Sequence, residues 1–166
     1  MTNEEILKDL TSKFGEANIE EAVENYGLLN ITSNTHTIVE LLSYLYQHPI
    51  FKFQFLTDLA GIHFPDVTDK ELGVIYHLHS LENNVRLIVK LFVPIVSPKV
   101  PTLTSIYAAA NWMEREAFDF YGIIFEGHPN LKRILNTEDM DYHPLRKEYP
   151  LEDATRQDKI DGLFGR

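Results

Sequence analysis

Glu114, Arg115, Glu116 and Asp119, followed by His128, Lys132 and Arg133, bring three carboxylates, an imidazole and three basic groups into one short stretch, EREAFDFYGIIFEGHPNLKRIL (residues 114–135). Convergent carboxylates with an imidazole can hold a divalent metal or work as a general acid–base pair. A metal site needs ligands that meet at one point, and His128 is the nearby imidazole. On a helix, Arg115 and Asp119 stand four apart and can pair, and Glu116 reaches Trp112 and Asp119. That face lies away from Ile106 and Met113. The same residues therefore also suit an ion-pair network on a helix face that meets a loop or a partner, since charge runs are usually solvated or paired.

Other candidates are thinner. His77 and His79 stand two apart in a β-rich run, so they point the same way, as a metal pair or a polar sheet face would. His36, His48 and His63 sit in caps or loops without neighbours that suggest chemistry. There is no glycine-rich phosphate loop, no serine elbow and no HExxH pattern. Nothing builds a nucleotide or flavin site.

The elements that would position the cluster can be read from periodicity. Asn3 caps a first helix with Ile6, Leu7, Leu10 and Phe14 at helical spacing, ended by Gly15. Residues 19–31 form a strand region turning at Gly27. Thr37 and Glu40 have the spacing of a capping box before an apolar helix face of Ile38, Leu41, Leu42 and Leu45, stopped by Pro49. FKFQF alternates strictly, with Phe51, Phe53 and Phe55 on one face, and reads as a half-buried strand. Asp58 to Pro65 then reads as a loop bending at Gly61. ELGVIYHLHSL and VRLIVKLFVPIV form a hairpin through Glu82-Asn83-Asn84, with Val85, Leu87, Val89, Leu91 and Val93 on one face. Pro94, Pro98 and Pro101 close the sheet region. A helix runs from about Thr104 to Tyr121, with Ile106, Ala109, Ala110, Met113, Ala117 and Phe120 inward and Gly122 at its C-terminal cap. The expected fold is α+β: a two-layer domain with a mixed or antiparallel sheet packed by helices, over residues 1–126, plus an extended C-terminal arm over residues 127–166.

The chain has 166 residues, which suits one domain with a tail, and a net charge of −10. That charge argues against nucleic acid and against docking on anionic lipid. Residues 1–50 carry eight acidic against two basic residues, a local −6, whereas most arginines follow residue 114. There is no cysteine, which removes disulfides, thiolate metal sites and cysteine-ligated clusters. No apolar run approaches the roughly 20 residues of a membrane span. The acidic N-terminus lacks a signal-peptide core, so the chain reads as soluble and cytosol-facing, with a bacterial source favoured.

The arm loses periodicity yet carries Leu131, Ile134, Leu135, Tyr142, Leu145, Tyr149 and Leu151 between Arg, Lys and Pro, with Phe125 just before it. That is too apolar for a disordered tail. It reads as a segment wrapped on another protein, with arginines suited to bidentate pairing. Within it, HPNLKR at 128–133 is echoed by HPLRK at 143–147. From the residues alone, the stretch at 114–135 reads as a docking surface.

Residues 114–135 resemble the signature of the C subunit of the proton-pumping NADH:quinone oxidoreductase, respiratory complex I. The matching positions are Glu114-Arg115-Glu116, Asp119, Phe120-Tyr121, His128, Lys132 and Ile134-Leu135. The block from Asp139 to Leu151, with His143, Pro144, Leu145, Arg146 and Lys147, resembles a second motif of that family. Lys132 stands where arginine is common. The resemblance implies a non-catalytic structural subunit of the hydrophilic arm, with no catalytic, cofactor or metal residues of its own. FMN and iron–sulfur clusters would lie in other subunits of the holoenzyme. It implies packing mainly on the D-subunit homologue, and near the B- and I-subunit homologues. Membrane association would come only through the complex, at the cytoplasmic face of the bacterial inner membrane, or the matrix side if organellar. Arg115, Glu116 and Asp119 would fix the helix end and the next loop, and His128 and Pro129 would shape the turn after Gly127. Lys132, Arg133, Arg146 and Lys147 would meet acceptors on the D-subunit homologue. Ferredoxin-linked, plastid-type and hydrogenase complexes have equivalent subunits. The rival from another class is a free-standing metal-dependent enzyme using Glu114, Glu116, Asp119 and His128.

Overall fold

The computed structural model describes residues 2–150. Leu151, which closes the second motif, and the arm's residues 152–166 lie outside the described residues. The chain forms helix α1 (Asn3–Phe14), the hairpin β1 (Glu21–Asn25) and β2 (Leu28–Ser33), and helix α2 (Ile38–Gln47). Strands β3 (Phe55–His63), β4 (Leu72–Ser80) and β5 (Val85–Val93) follow. The short strand β6 (Lys99–Pro101), helix α3 (Ala110–Tyr121) and strand β7 (Ile124–Glu126) complete the order. The main sheet runs β1-β2-β5-β4-β3, antiparallel except for the β2–β5 pair, and β6 pairs with β7 in parallel. The fold is thus the expected α+β domain with a mixed sheet.

Register assigns the sheet two unlike faces. Ile31, Val89, Tyr76 and Leu59 lie in one cross-strand row and are all buried. Leu72, Val74, Leu78, Leu87 and Leu91 extend that face into a single core with Ile6 and Leu10 of α1 and Ile38, Leu41, Leu42 and Leu45 of α2. The alternation read in the β4–β5 hairpin is therefore the pleat itself. His77 and His79 point to the opposite, half-buried face beside Ile75 and Ile88.

Local details correct several expectations. Thr2, not Asn3, caps α1: its hydroxyl accepts the Glu5 amide at 3.2 Å while the Glu5 carboxylate accepts the Thr2 amide at 2.8 Å. The capping box at Thr37 does not form. Asn34 takes that place, its side-chain oxygen accepting the amides of His36 and Thr37, and the Thr37 hydroxyl turns to Asn18 and Asn34. Residues 51–54 are not a strand. Lys52 adopts φ 48°, which breaks the alternation, so Phe51 and Phe53 enter the core while Phe55 is 47% exposed. Asp58 to His63 is strand rather than loop. Gly61 does not bend the chain; the Tyr121 ring of α3 occupies the space where its Cβ would stand. Glycine inside a strand often marks such a close approach. Helix α3 begins at Ala110 instead of Thr104, because residues 103–109 form turns, with Tyr107 donating to the Phe53 carbonyl at 2.7 Å.

Replacing Gly61 with alanine forces the Tyr121 ring off β3, an overpacking change expected to destabilise by about 1–3 kcal/mol. Urea unfolding should show this loss, and Tyr121→Ala introduced on the Gly61→Ala background should recover part of it, because the ring is the obstacle.

Candidate functional site

Helix α3 carries the charged stretch, and the arm from Gly127 to Pro150 lies against it. Asp119 is fully buried at the helix's last turn. Its Oδ2 accepts the amides of Ile134, Leu135 and Asn136 at 3.0, 2.8 and 2.9 Å. Its Oδ1 accepts Arg133 at 2.7 Å and the Asn136 side chain at 3.1 Å. Burial alone would raise this carboxyl's pKa. The amides of Asn136 and Leu135 and the Arg133 guanidinium outweigh it and hold the group well below the usual carboxylate range. Arg133 also donates to the carbonyls of Asp119, Met140 and Tyr142 at 2.7–2.9 Å. One ion pair therefore closes a loop of the arm upon itself.

Arg115 does not pair with Asp119, as the helical spacing suggested. Its Nε and one terminal nitrogen donate to the carbonyls of Lys132 and Arg133, both at 3.1 Å. The loop explains the swap: it turns carbonyls toward Arg115 and amides toward Asp119, so each charge answers the loop's opposite dipole. Trp112 lies beside Arg115, with the guanidinium 5.4 Å from its ring centroid.

The arm also completes the C-terminal end of α3. A helix leaves its last carbonyls without intrahelical partners. Here the Asp119 carbonyl receives Arg133 and a ring nitrogen of His143, that of Phe120 receives the Leu145 amide, and that of Tyr121 receives Arg146 at 2.8 Å. Cationic donors suit the negative end of the helix dipole. Gly122 has φ 75°, and a Cβ there would come within 2.6 Å of both His143 and Arg146, so only glycine fits. Burial pushes the His143 pKa down. Further along, the Lys147 amide donates to His63 at the end of β3, 3.0 Å away. At the other end of α3, His128 bonds the Asn111 carbonyl at 3.0 Å and accepts the Asn130 amide through its other nitrogen. The two His-Pro motifs thus clip the two ends of one helix, which accounts for their echo in the sequence. Pro129 and Pro144 follow these histidines.

Glu114 and Glu116 part company. Glu114 is buried and holds the segment before the helix, accepting the Leu103 amide at 2.7 Å and the Thr102 hydroxyl at 2.6 Å. No cation pairs with it among the described residues. Burial raises its pKa from 4.5 to about 7, against the pull of those two donors. Glu116 is exposed. Glu114, Glu116, Asp119 and His128 consequently do not converge, and no group of three or more His, Asp or Glu side chains does so among the described residues. His77 and His79 likewise gain no third ligand among the described residues. The basic residues divide too: Arg133 and Arg146 are turned inward, while the Lys132 and Lys147 side chains are exposed. Thr102, Trp112, Asn136 and His63 were missed by sequence reasoning. The Gly122 cap marked only where the helix ends; that a loop meets this end was implied by the family resemblance, through Arg115, Glu116 and Asp119.

Residues 31–155 match the model of the family described as respiratory-chain NADH dehydrogenase, 30 kDa subunit. The chain belongs to that family. It is 42% identical over 126 residues to the C subunit of NADH-quinone oxidoreductase from Caulobacter sp. (strain K31), covering 76% of this chain and 58% of the relative. It is 43% identical over 137 residues to the C 2 subunit of NADH-quinone oxidoreductase from Rhizobium meliloti (strain 1021), covering 78% and 72%. The chain thus spans little more than half the length of the Caulobacter relative. Among solved structures, a trypsin-resistant fragment of Nqo5 superposes with a TM-score of 0.67 at 30% identity, covering 79% of this chain and 100% of the fragment. A chain of a membrane-bound sulfane sulfur reductase, an archaeal respiratory membrane complex, gives 0.74 at 25% identity, covering 89% and 85%. The family resemblance read in residues 114–135 is therefore correct. No helix among the described residues is long and apolar enough to cross a membrane.

Asp119→Asn leaves the shape but strands Arg133, with an expected loss of about 3–5 kcal/mol in chemical denaturation. Pairing it with Arg133→Met should cost less than the two changes summed. The two buried carboxyls respond oppositely to pH. Asp119, with its depressed pKa, contributes stability above its unfolded pKa near 3.8 that is lost on acidification. Glu114, with its raised pKa, favours the fold below 4.5, and that contribution is lost as pH rises through about 7. Glu114→Gln should therefore gain on wild type by about 1–3 kcal/mol in melts at pH 8 compared with pH 5.

Proposed function

We propose that this chain is a non-catalytic structural subunit of the hydrophilic arm of respiratory complex I, the assembly that passes electrons from NADH to quinone and couples this to proton translocation. One observation carries the reading. The charged residues of the signature satisfy backbone groups of the chain's own arm and helix, and leave no set of acids or imidazoles aimed at a common point among the described residues. Such an arrangement stiffens a surface, which supports a structural role. The absence of cysteine agrees with redox centres, FMN and iron–sulfur clusters, residing in other subunits. Family membership and the respiratory complex in which one structural relative occurs support an assembled role.

In this reading the chain packs mainly on the D-subunit homologue and near the B- and I-subunit homologues. It sits at the cytoplasmic face of a bacterial inner membrane, attached through the complex alone. Lys132 and Lys147, whose side chains reach solvent, meet acidic groups there. The likeness to the sulfane sulfur reductase chain also favours a second reading, the equivalent subunit of a relative with another electron donor.

Affinity purification of the tagged chain from detergent-solubilised membranes tests both readings. Recovery of the D- and B-subunit homologues in an NADH-oxidising complex supports the first, and recovery in a complex that oxidises another donor supports the second. Recovery of the chain alone contradicts both. In the same assay, Lys132→Glu combined with Lys147→Glu should lower recovery of the partners several-fold and leave the melting of the isolated chain unchanged.

A further inference from the structure

Among the described residues, three imidazoles accept backbone amides through Nδ1: His48 those of Ile50 and Phe51, His128 that of Asn130, and His63 that of Lys147. An imidazole nitrogen can accept only while it carries no proton. Two of the three also have a carboxylate at hand. At His48 the Asp9 carboxylate stands by the other ring nitrogen, 4.0 Å away. At His63 the Glu148 carboxylate stands 3.6 Å from Nδ1, the same nitrogen that takes the amide. His63 is buried at the end of β3, in register with Leu72 of β4. Charged groups face it from both sides. From the arm, Glu148 is 43% exposed, with its other oxygen 4.0 Å from Arg146, and Lys147 turns its side chain to solvent. From the sheet, Glu71, which precedes β4, lies within electrostatic reach, but its carboxylate already accepts the amides of Asp69 and Ile95. Glu148 is thus the carboxylate with capacity to receive a proton-bearing Nδ1.

We propose that His63 is a two-position proton latch for the end of the arm. Neutral, its Nδ1 holds the Lys147 amide. Protonated, the Nδ1–H and that amide would face each other as two donors 3.0 Å apart. The ring then gives its hydrogen bond to Glu148, and the Lys147 amide is released to water. The proton comes from solvent and returns there. The two partners are neighbours in the chain, so the exchange alters the arm after Arg146 and leaves the bonds of Leu145 and Arg146 to α3 in place. Imidazole suits such a device, since its charge changes between about pH 5 and 8. The latch resides wholly in this chain and does not depend on the assembly proposed above.

Amide exchange and histidine nitrogen shifts, followed by NMR on the full-length chain from about pH 8 to about pH 5, test this. At the alkaline end Nδ1 of His63 should be unprotonated, with the proton on Nε2. On acidification the protection factor of the Lys147 amide should fall about fivefold, in step with protonation of that ring, while Leu145 keeps its protection. Glu148→Gln, a surface change, removes the charge that receives the protonated ring and should move this transition to lower pH. Lys147 protection that stays level across the range overturns the latch, as does a proton on Nδ1 at the alkaline end. A transition that Glu148→Gln leaves at the same pH overturns Glu148 as the second position, and with it the latch.

Discussion

The carboxylate of Asp119 sits where a helix ends and a loop must begin, and it accepts three consecutive backbone amides and an arginine. A buried charge is tolerated only when its hydrogen-bonding capacity is filled. Here the filling is done by residues 133–136, so the charge can be buried only if the loop takes one particular shape. Arg133, drawn in by that charge, then fixes the carbonyls of Met140 and Tyr142. The path of the arm as far as His143 follows from this one interaction.

The remaining contacts extend the same logic. Helix α3 ends facing the arm, and its last carbonyls take their donors from His143, Leu145 and Arg146. The Tyr121 ring fits over Gly61 and joins the helix to the edge of the sheet. His63, at the end of that strand, takes the Lys147 amide. The sheet holds the helix, the helix holds the arm, and the arm's exposed side chains are displayed from a fixed backbone. The charged residues of 114–135 act within this chain chiefly through backbone hydrogen bonds, and no three His, Asp or Glu side chains converge among the described residues.

Much of this was legible in the sequence where the determinants are local. Alternation in Val85 to Val93 gave the buried face of β5, and the helical spacing of Leu41, Leu42 and Leu45 gave α2. Local rules failed where a distant group intervened. The alternation of Phe51, Phe53 and Phe55 ignored the positive φ at Lys52. Gly61 resembled a bend because Tyr121, 60 residues on, was not in view. Arg115 was matched with Asp119 by proximity on the helix, whereas Arg133 reached it by way of a loop whose dipoles no pattern displays. Family membership, by contrast, was readable, since it resides in residue identities and spacing rather than in contacts.

Amide hydrogen exchange at Ile134, Leu135 and Asn136 tests the central claim most directly. If the Asp119 carboxylate organises the arm, these three amides exchange slowly despite lying outside any helix or strand, and Asp119→Asn speeds them together with the amides of Leu145 and Lys147. Fast exchange at these positions in the wild-type chain, or slow exchange that survives the substitution, would contradict it.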